Sequence, residues 1–422
     1  MTSFPEMLLV QQTFDCQTVK DVAAETRQQL QQQNLASTIT AGNTVAITAG
    51  SRGISQLPEI LKATVDYFRE HQAAPFLVPA MGSHGGATVE GQRQVLENLG
   101  ITPESVGAEI RATMDTVVVA NTETGLPIHF DAIAAQADHV FVVNRIKSHT
   151  RFTGPIESGL HKMLLIGLGK HRGATIYHQA INDDRFEQIL NSASQQVIDR
   201  CNVIGGLAIV ENSLDQTGLI QAVAAADFRK TEPKLLEIAK QWLPTLPFPD
   251  VDLLIVDRIG KNISGTGMDA NVVGRKFNDH ASTAADIAHC KRIFVRSLTE
   301  ESQGNACGIG QAEFTTTACV QQIDFAKTNT NAVTASHPEA GMVPLTYPTD
   351  AAAISAALKT VGTVPPAQAK VIQISDTLHL STVRVSVAYA DQIHSAKHLT
   401  VLSPASPFPL NSAGDLADLP HP

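Results

Sequence analysis

The sequence has no excess of basic residues: 31 Lys and Arg stand against 41 Asp and Glu, a net charge of −10 with neutral histidines. That balance argues against nucleic acid or an anionic membrane as the main partner, since each needs a basic footprint on the protein. No apolar run approaches the ~20 residues that span a bilayer, and Met163–Leu168 is only core-sized. The start, MTSFPEMLLVQQ, lacks the positive end and apolar core of a signal peptide. The five cysteines (Cys16, Cys201, Cys290, Cys307 and Cys319) are scattered and form no CxxC. We therefore expect a cytoplasmic protein with mostly buried thiols and no Cys-rich metal site. HExxH, zinc-finger, Walker A and GxSxG patterns are absent as well, which removes the common motif-bearing enzyme classes. There is no internal repeat and no low-complexity tract.

What is present is a globular balance, 43% hydrophobic and 17% charged over 422 residues, enough chain for two ordinary domains. Short β-rich runs at Thr44–Thr48, Phe76–Ala80 and His139–Val143 each break at a polar, mostly Gly-rich turn. Helical periodicity follows the first two, with Leu57, Ile60, Leu61, Val65 and Phe68 near one face of Leu57–His71. This alternation predicts an α/β fold: two α/β domains with a mainly parallel sheet, the N-terminal one Rossmann-like, and an interdomain cleft. The segment WLPTLPFPD at Trp242–Asp250 is the linker candidate, since its three prolines break helix and ladder alike. The expected division is residues 1–246 as a cofactor-binding domain, 250–400 as a second α/β domain, and 401–422 as a tail packing back on the first. Strand-like segments in the second domain are Val251–Val256, Arg292–Arg296, Lys370–Ile374 and Val383–Ala388.

In parallel sheets ligands bind at the carboxyl ends of strands, where the polar turns lie. Arg52 in TAGSRG is either an anion-binding arginine beside open backbone N–H groups or a surface arginine on a plain turn. His84 in GSHGG is held out by glycines, suited to proton transfer near neutral pH or simply bonded to backbone. Asn144–His178 gathers Lys147, His149, Arg151, His161, Lys162, Lys170, His171, Arg172 and His178. In an acidic chain this is a local positive pocket for an anionic ligand. Lys162 precedes an apolar run, and a partly buried lysine there has a depressed pKa suited to a nucleophile or covalent anchor. His171 and His178 form either a metal pair at helical spacing or a structural pair. Asp257–Arg275, DRIGKNISGTGMDANVVGR, offers a second polar loop with Lys261, Asn262 and Arg275 as candidate substrate contacts.

The order S-R (Ser51, Arg52), G-S-H-G-G (His84), I-K-S-H (Lys147, His149), S-G-L-H-K (Lys162), then His178 sixteen residues on, resembles the nickel-pincer lactate racemase family and its hydroxyacid racemase and epimerase relatives. ISGTGMDANVVGR looks like a branch distinct from lactate racemase proper, and Ala49 stands where the resemblance has an acidic residue. The resemblance implies nickel in a pyridinium mononucleotide with two sulfur-bearing arms. It further implies a tether at Lys162, His178 as the nickel ligand, and His84 and His149 as acid/base residues. Arg52, Ser51, Lys170 and His171 would face the cofactor, and Arg52, Lys147, Lys261, Asn262 and Arg275 the substrate. The expected function is racemisation or epimerisation of a small-molecule 2-hydroxyacid by hydride removal and return, with oligomeric state open. The alternatives are a metal-dependent hydrolase or lyase on a carboxylate substrate, and a non-catalytic cofactor-binding protein.

Overall fold

The structure, a computed structural model, describes residues 4–123, 125–151, 153–181 and 186–420, with the side chains of 178–181, 186–189 and 191 left out. It consists of two compact units, residues 16–243 and residues 1–15 with 244–422. Strand β1 (Met7–Gln12) belongs to the second and is taken up there.

The first unit contains β2 (Thr44–Ala49), β3 (Ala74–Pro79), β4 (Thr116–Asn121), β5 (Pro127–Asp131), β6 (His139–Arg145), β7 (Val203–Glu211) and β8 (Thr217–Ala224). Five of these form a sheet in the order β3-β2-β6-β7-β8. It is parallel from β3 to β7, and β8 is antiparallel to β7; β4 and β5 pair separately as an antiparallel ribbon. The strands read as near-continuous apolar runs because both faces are covered. Alternate residues point to opposite faces, so Ala46, Phe76, Val78, Val140 and Val142 enter one core with Leu160 and Leu164. Val45, Ile47, Leu77, Phe141 and Val143 enter the other, with Ile60, Leu61, Val65 and Phe68 of the helix Leu57–Glu70. The periodicity-based helix is thus present with the expected buried face.

The second unit contains β9 (Asp250–Ile259), β10 (His289–Leu298), β11 (Phe314–Thr316), β12 (Leu345–Tyr347), β13 (Val371–Ile374), β14 (Thr382–Ser386) and β15 (Leu399–Ser406). Its eight-stranded sheet runs β12-β11-β10-β9-β13-β14-β1-β15. The first five strands are parallel and the last three junctions antiparallel. β1 therefore lies inside this sheet, and the division differs from residues 1–246 against 250–400. The strand MLLVQQ has no partner near it in sequence, and only β14 and β15 satisfy its ladder on both sides. The tail 401–422 belongs to this unit too: Arg296 donates to Leu416 O and Asp418 Oδ1, and Arg384 to Ala417 O and Asp418 O. Among the described residues no helix is long and apolar enough to cross a membrane.

Candidate functional site

In the first unit the chain moves from β2 out to β3, then returns to lay β6 on the other side of β2. Loops leaving β2 and β6 diverge at such a reversal, and the crevice at their carboxyl ends is where α/β sheets bind ligands. The loop after β2 carries Ser51 and Arg52, and the loop after β6 carries Lys147 and His149. The neighbouring turn after β3 carries His84.

These loops are tied together. Ser51 Oγ and His84 Nδ1 share a hydrogen bond, so the turns after β2 and β3 meet at the proposed acid/base group. The His149 loop is held from beneath by Glu157, a buried carboxylate whose Oε2 accepts from His149 N–H at 2.8 Å and Ser148 Oγ–H at 3.0 Å. Lys240 Nζ lies 2.6 Å from the other oxygen. Arg151 N–H donates to His149 Nδ1 at 3.1 Å, so a neutral His149 carries its ring proton on Nε2. Lys147 N–H donates to Ser158 O at 3.0 Å, joining this loop to the segment that leads into Lys162.

Lys162 sits on a short helical turn, Leu160–Lys162, that passes into a π-helical turn, Met163–Gly167. Gly167 packs against the end of β3: a Cβ there would lie 2.8 Å from Ala80 O and 2.6 Å from Met163 Sδ. Its carbonyl accepts from Gly82 N–H at 3.2 Å. Only a residue without Cβ allows this approach. The Lys162 ammonium is pushed down to about 7, first by burial and then by the positive charges of Arg52 and Lys147. Arg52 is lowered to about 10 by burial and by Arg145. Arg145 itself is neutralised by Glu211, which also accepts from Ser55 N–H at 2.6 Å. Arg52, Lys147 and Lys162 therefore form a mutually repelling cationic group, a structure that stores affinity for an anion.

Other candidates are placed elsewhere. Lys170 does not present its amine to a ligand: it is fully buried and ion-paired to buried Asp131 at 2.8 Å. His171 is exposed near the start of the helix Lys170–Ile181. Arg275, expected on a substrate, is 1% exposed and spent inside the second unit on Ser282 Oγ, Cys290 O and Glu313. Its loop is scaffold at that position. Lys261 and Asn262 follow β9 in the same unit, with Lys261 Nζ donating to Gly265 O at 2.6 Å and Asn262 Oδ1 accepting from Thr299 Oγ1 at 2.7 Å. The backbone of His178 is helical, but its side chain lies outside the described residues. Among those described, no three His, Cys, Asp or Glu side chains gather closely enough to hold a metal ion.

Several site-shaping residues escape the sequence reading: Gln92, Asp131, Glu157, Glu211 and Glu232. Glu232 is 1% exposed and takes His161 Nδ1 at 2.7 Å and His161 N–H at 3.2 Å. Asp131, Glu211 and Glu232 meet partners remote in sequence, and Glu157 and Gln92 meet theirs eight to ten residues away in no recognisable pattern, so no local motif marks them; the one clue is the surplus of cations in Asn144–His178 needing counter-charges.

The cationic, histidine-bearing loops thus lie at the carboxyl ends of the strands where the parallel sheet reverses. Residues 7–188 match the lactate racemase N-terminal domain. Its fold is similar to the lactate racemase apoprotein of Thermoanaerobacterium thermosaccharolyticum, with TM-score 0.51 and 12% identity over 86% of this chain and 93% of that one. It is similar also to a protein from Thermotoga maritima, with TM-score 0.51 and 12% identity over 75% of this chain and 82% of that one. No curated protein matches the chain.

Proposed function

We propose that the chain is a cytoplasmic nickel-pincer-dependent isomerase that racemises or epimerises a small 2-hydroxyacid. The observation that carries this reading is the pair of histidines on the turns after β3 and β6, His84 bonded to Ser51 and His149 fixed over Glu157, beside the Arg52–Lys147–Lys162 cations. The residues fit an anionic nucleotide with an acyl-bearing arm: Lys162 has an amine with substantial neutral fraction near pH 7, and Arg52 with Ser51 offers donors for a phosphate. His178 is the proposed nickel ligand, one imidazole completing a sulfur-rich field that suits Ni(II). When bound, this cofactor supplies a hydride acceptor for the substrate's α-hydrogen.

The protein's own part is proton movement and placement. One histidine takes the hydroxyl proton of the 2-hydroxyacid, so that loss of the α-hydrogen as hydride leaves a planar 2-oxoacid. The second histidine would give its proton to the carbonyl oxygen as the carbon is reduced on its other face. His84, with Nδ1 on Ser51, works through Nε2, whereas His149 holds its ring proton on Nε2 and gives up the Arg151 N–H contact when it charges. Lys147 and Arg52 hold the carboxylate. Five free cysteines suit a reducing compartment.

The test is metal analysis with intact mass, on protein produced beside enzymes that make the cofactor. Nickel near one per chain, an organic adduct and loss of nickel in His178→Ala support the reading. Zinc or iron without adduct favours a hydrolase or lyase and sinks it.

A further inference from the structure

Lys170 is the least expected cation in the first unit. Its backbone lies in the left-handed region at φ +53°, a strained setting for a lysine, and its side chain is 0% exposed. The ammonium has three donors and three acceptors around it: Asp131 Oδ2 at 2.8 Å, Pro79 O at 2.5 Å and Gln92 Oε1 at 3.3 Å. Asp131 is anchored in turn, its Oδ1 accepting from Ile133 N–H at 2.8 Å and Ala134 N–H at 2.9 Å. Burial alone lowers the affinity of Lys170 for its proton, and Asp131 opposes that. An ion pair this deep stabilises little compared with apolar packing of similar volume.

The arrangement specified here is that of the His84 turn. Pro79 is the last residue of β3, so Lys170 grips the strand at the point where the chain leaves for His84. Gln92, also 0% exposed, has its amide orientation fixed by Lys170: with Oε1 taken by the ammonium, Nε2 must face away. It donates to Gly82 O at 3.0 Å and to His84 O at 3.4 Å. The same turn is closed by His84 N–H donating to Met81 O at 3.1 Å. From Asp131 to His84 the chain of contacts is continuous and buried until its last member.

We propose that Asp131, Lys170 and Gln92 form a buried clamp that positions the His84 imidazole against Ser51, with Lys170 and Gln92 acting as positioning residues for proton transfer by His84. The catalytic consequence rests on the isomerase reading, whereas the clamp itself does not. Gln92→Glu is the discriminating variant: a carboxylate there keeps an acceptor for Lys170 but loses both donors to the His84 turn. The experiment is ¹⁵N-histidine NMR across pH, with His84 assigned through His84→Ala, in wild type, Ser51→Ala, Gln92→Glu and Gln92→Leu, alongside thermal melting. The clamp requires His84 in both Gln92 variants to move to the tautomer balance and titration midpoint seen in Ser51→Ala, with Gln92→Glu still melting as a folded protein. In cofactor-loaded enzyme, kcat should fall by about 10- to 100-fold with KM nearly unchanged. Should Gln92→Glu fold and leave His84's titration and tautomer as in wild type, the clamp is overturned, whatever its activity. If His84 shifts as stated but wild-type enzyme turns over no hydroxyacid, the clamp stands and the isomerase reading falls.

Discussion

His84 and His149 are the same side chain under different restraint. His84 is exposed and bonded through Nδ1 to a hydroxyl; His149 is half-buried, with Nδ1 accepting from backbone and its own N–H fixed on Glu157. Replacing either with alanine should cut racemisation by the ~10²–10⁴ typical of a lost acid/base group, as chiral chromatography reads it, while bound cofactor is retained. Lys162 carries a separate expectation. With its pKa pushed down to about 7, it should react with an amine-acylating reagent at neutral pH faster than surface lysines, by peptide mass spectrometry. The rate should rise with pH through about 7. Lys147→Met removes one repelling charge, which raises the pKa of Lys162 and slows that reaction; an unchanged rate would deny the coupling. Unfolded chain holds this proton up to the ordinary 10.5, so Lys162 makes folding stability increase with pH between the two values. Arg275→Ala should act on stability and not on KM: it removes a fully buried side chain and leaves half-buried Glu313 with Ile293 N–H alone, costing ~1–3 kcal/mol, measurable by denaturant unfolding. A raised KM with native stability would restore Arg275 to the substrate.

At the scale of elements, the strands and helices that build the site were legible because each obeys a local period. Thr44–Ala49, His139–Arg145 and Leu57–Glu70 bury the residues their apolar spacing selects. The motif-bearing turns were legible too, since strand ends and glycines mark them. Counter-charges were not: Glu157 lies near its loop in sequence, but Asp131, Glu211 and Glu232 meet their cations through tertiary packing alone. Lys170 was misread for that reason, as its sequence neighbours say nothing of Asp131. The π-helical turn is similarly invisible, and the close approach of Gly167 to Ala80 beside it is a tertiary contact. Gly167→Ala should therefore cost about 1–3 kcal/mol by overpacking and disturb the His84 turn. Native stability together with native turnover in this variant would show that the contact yields freely.

At the scale of the molecule, the chain is two units whose boundaries cross, because β1 completes the second unit's sheet between β14 and β15. The proline-rich segment near residue 244 was legible as a boundary, whereas the destination of Met7–Gln12 was not: strand pairing across nearly the whole chain leaves no local trace. In the proposed reaction the α-hydrogen of a hydroxyl-bearing carbon leaves and returns as hydride while two histidines move only the hydroxyl proton. The most direct measurement uses cofactor-loaded enzyme in ordinary water with one enantiomer of a 2-hydroxyacid deuterated at the α-carbon, drawn from a panel of such acids. A hydride never mixes with solvent protons, so the opposite enantiomer should form with its deuterium kept. Inversion with deuterium washed out, or no inversion of any acid by nickel-loaded protein, would contradict the account.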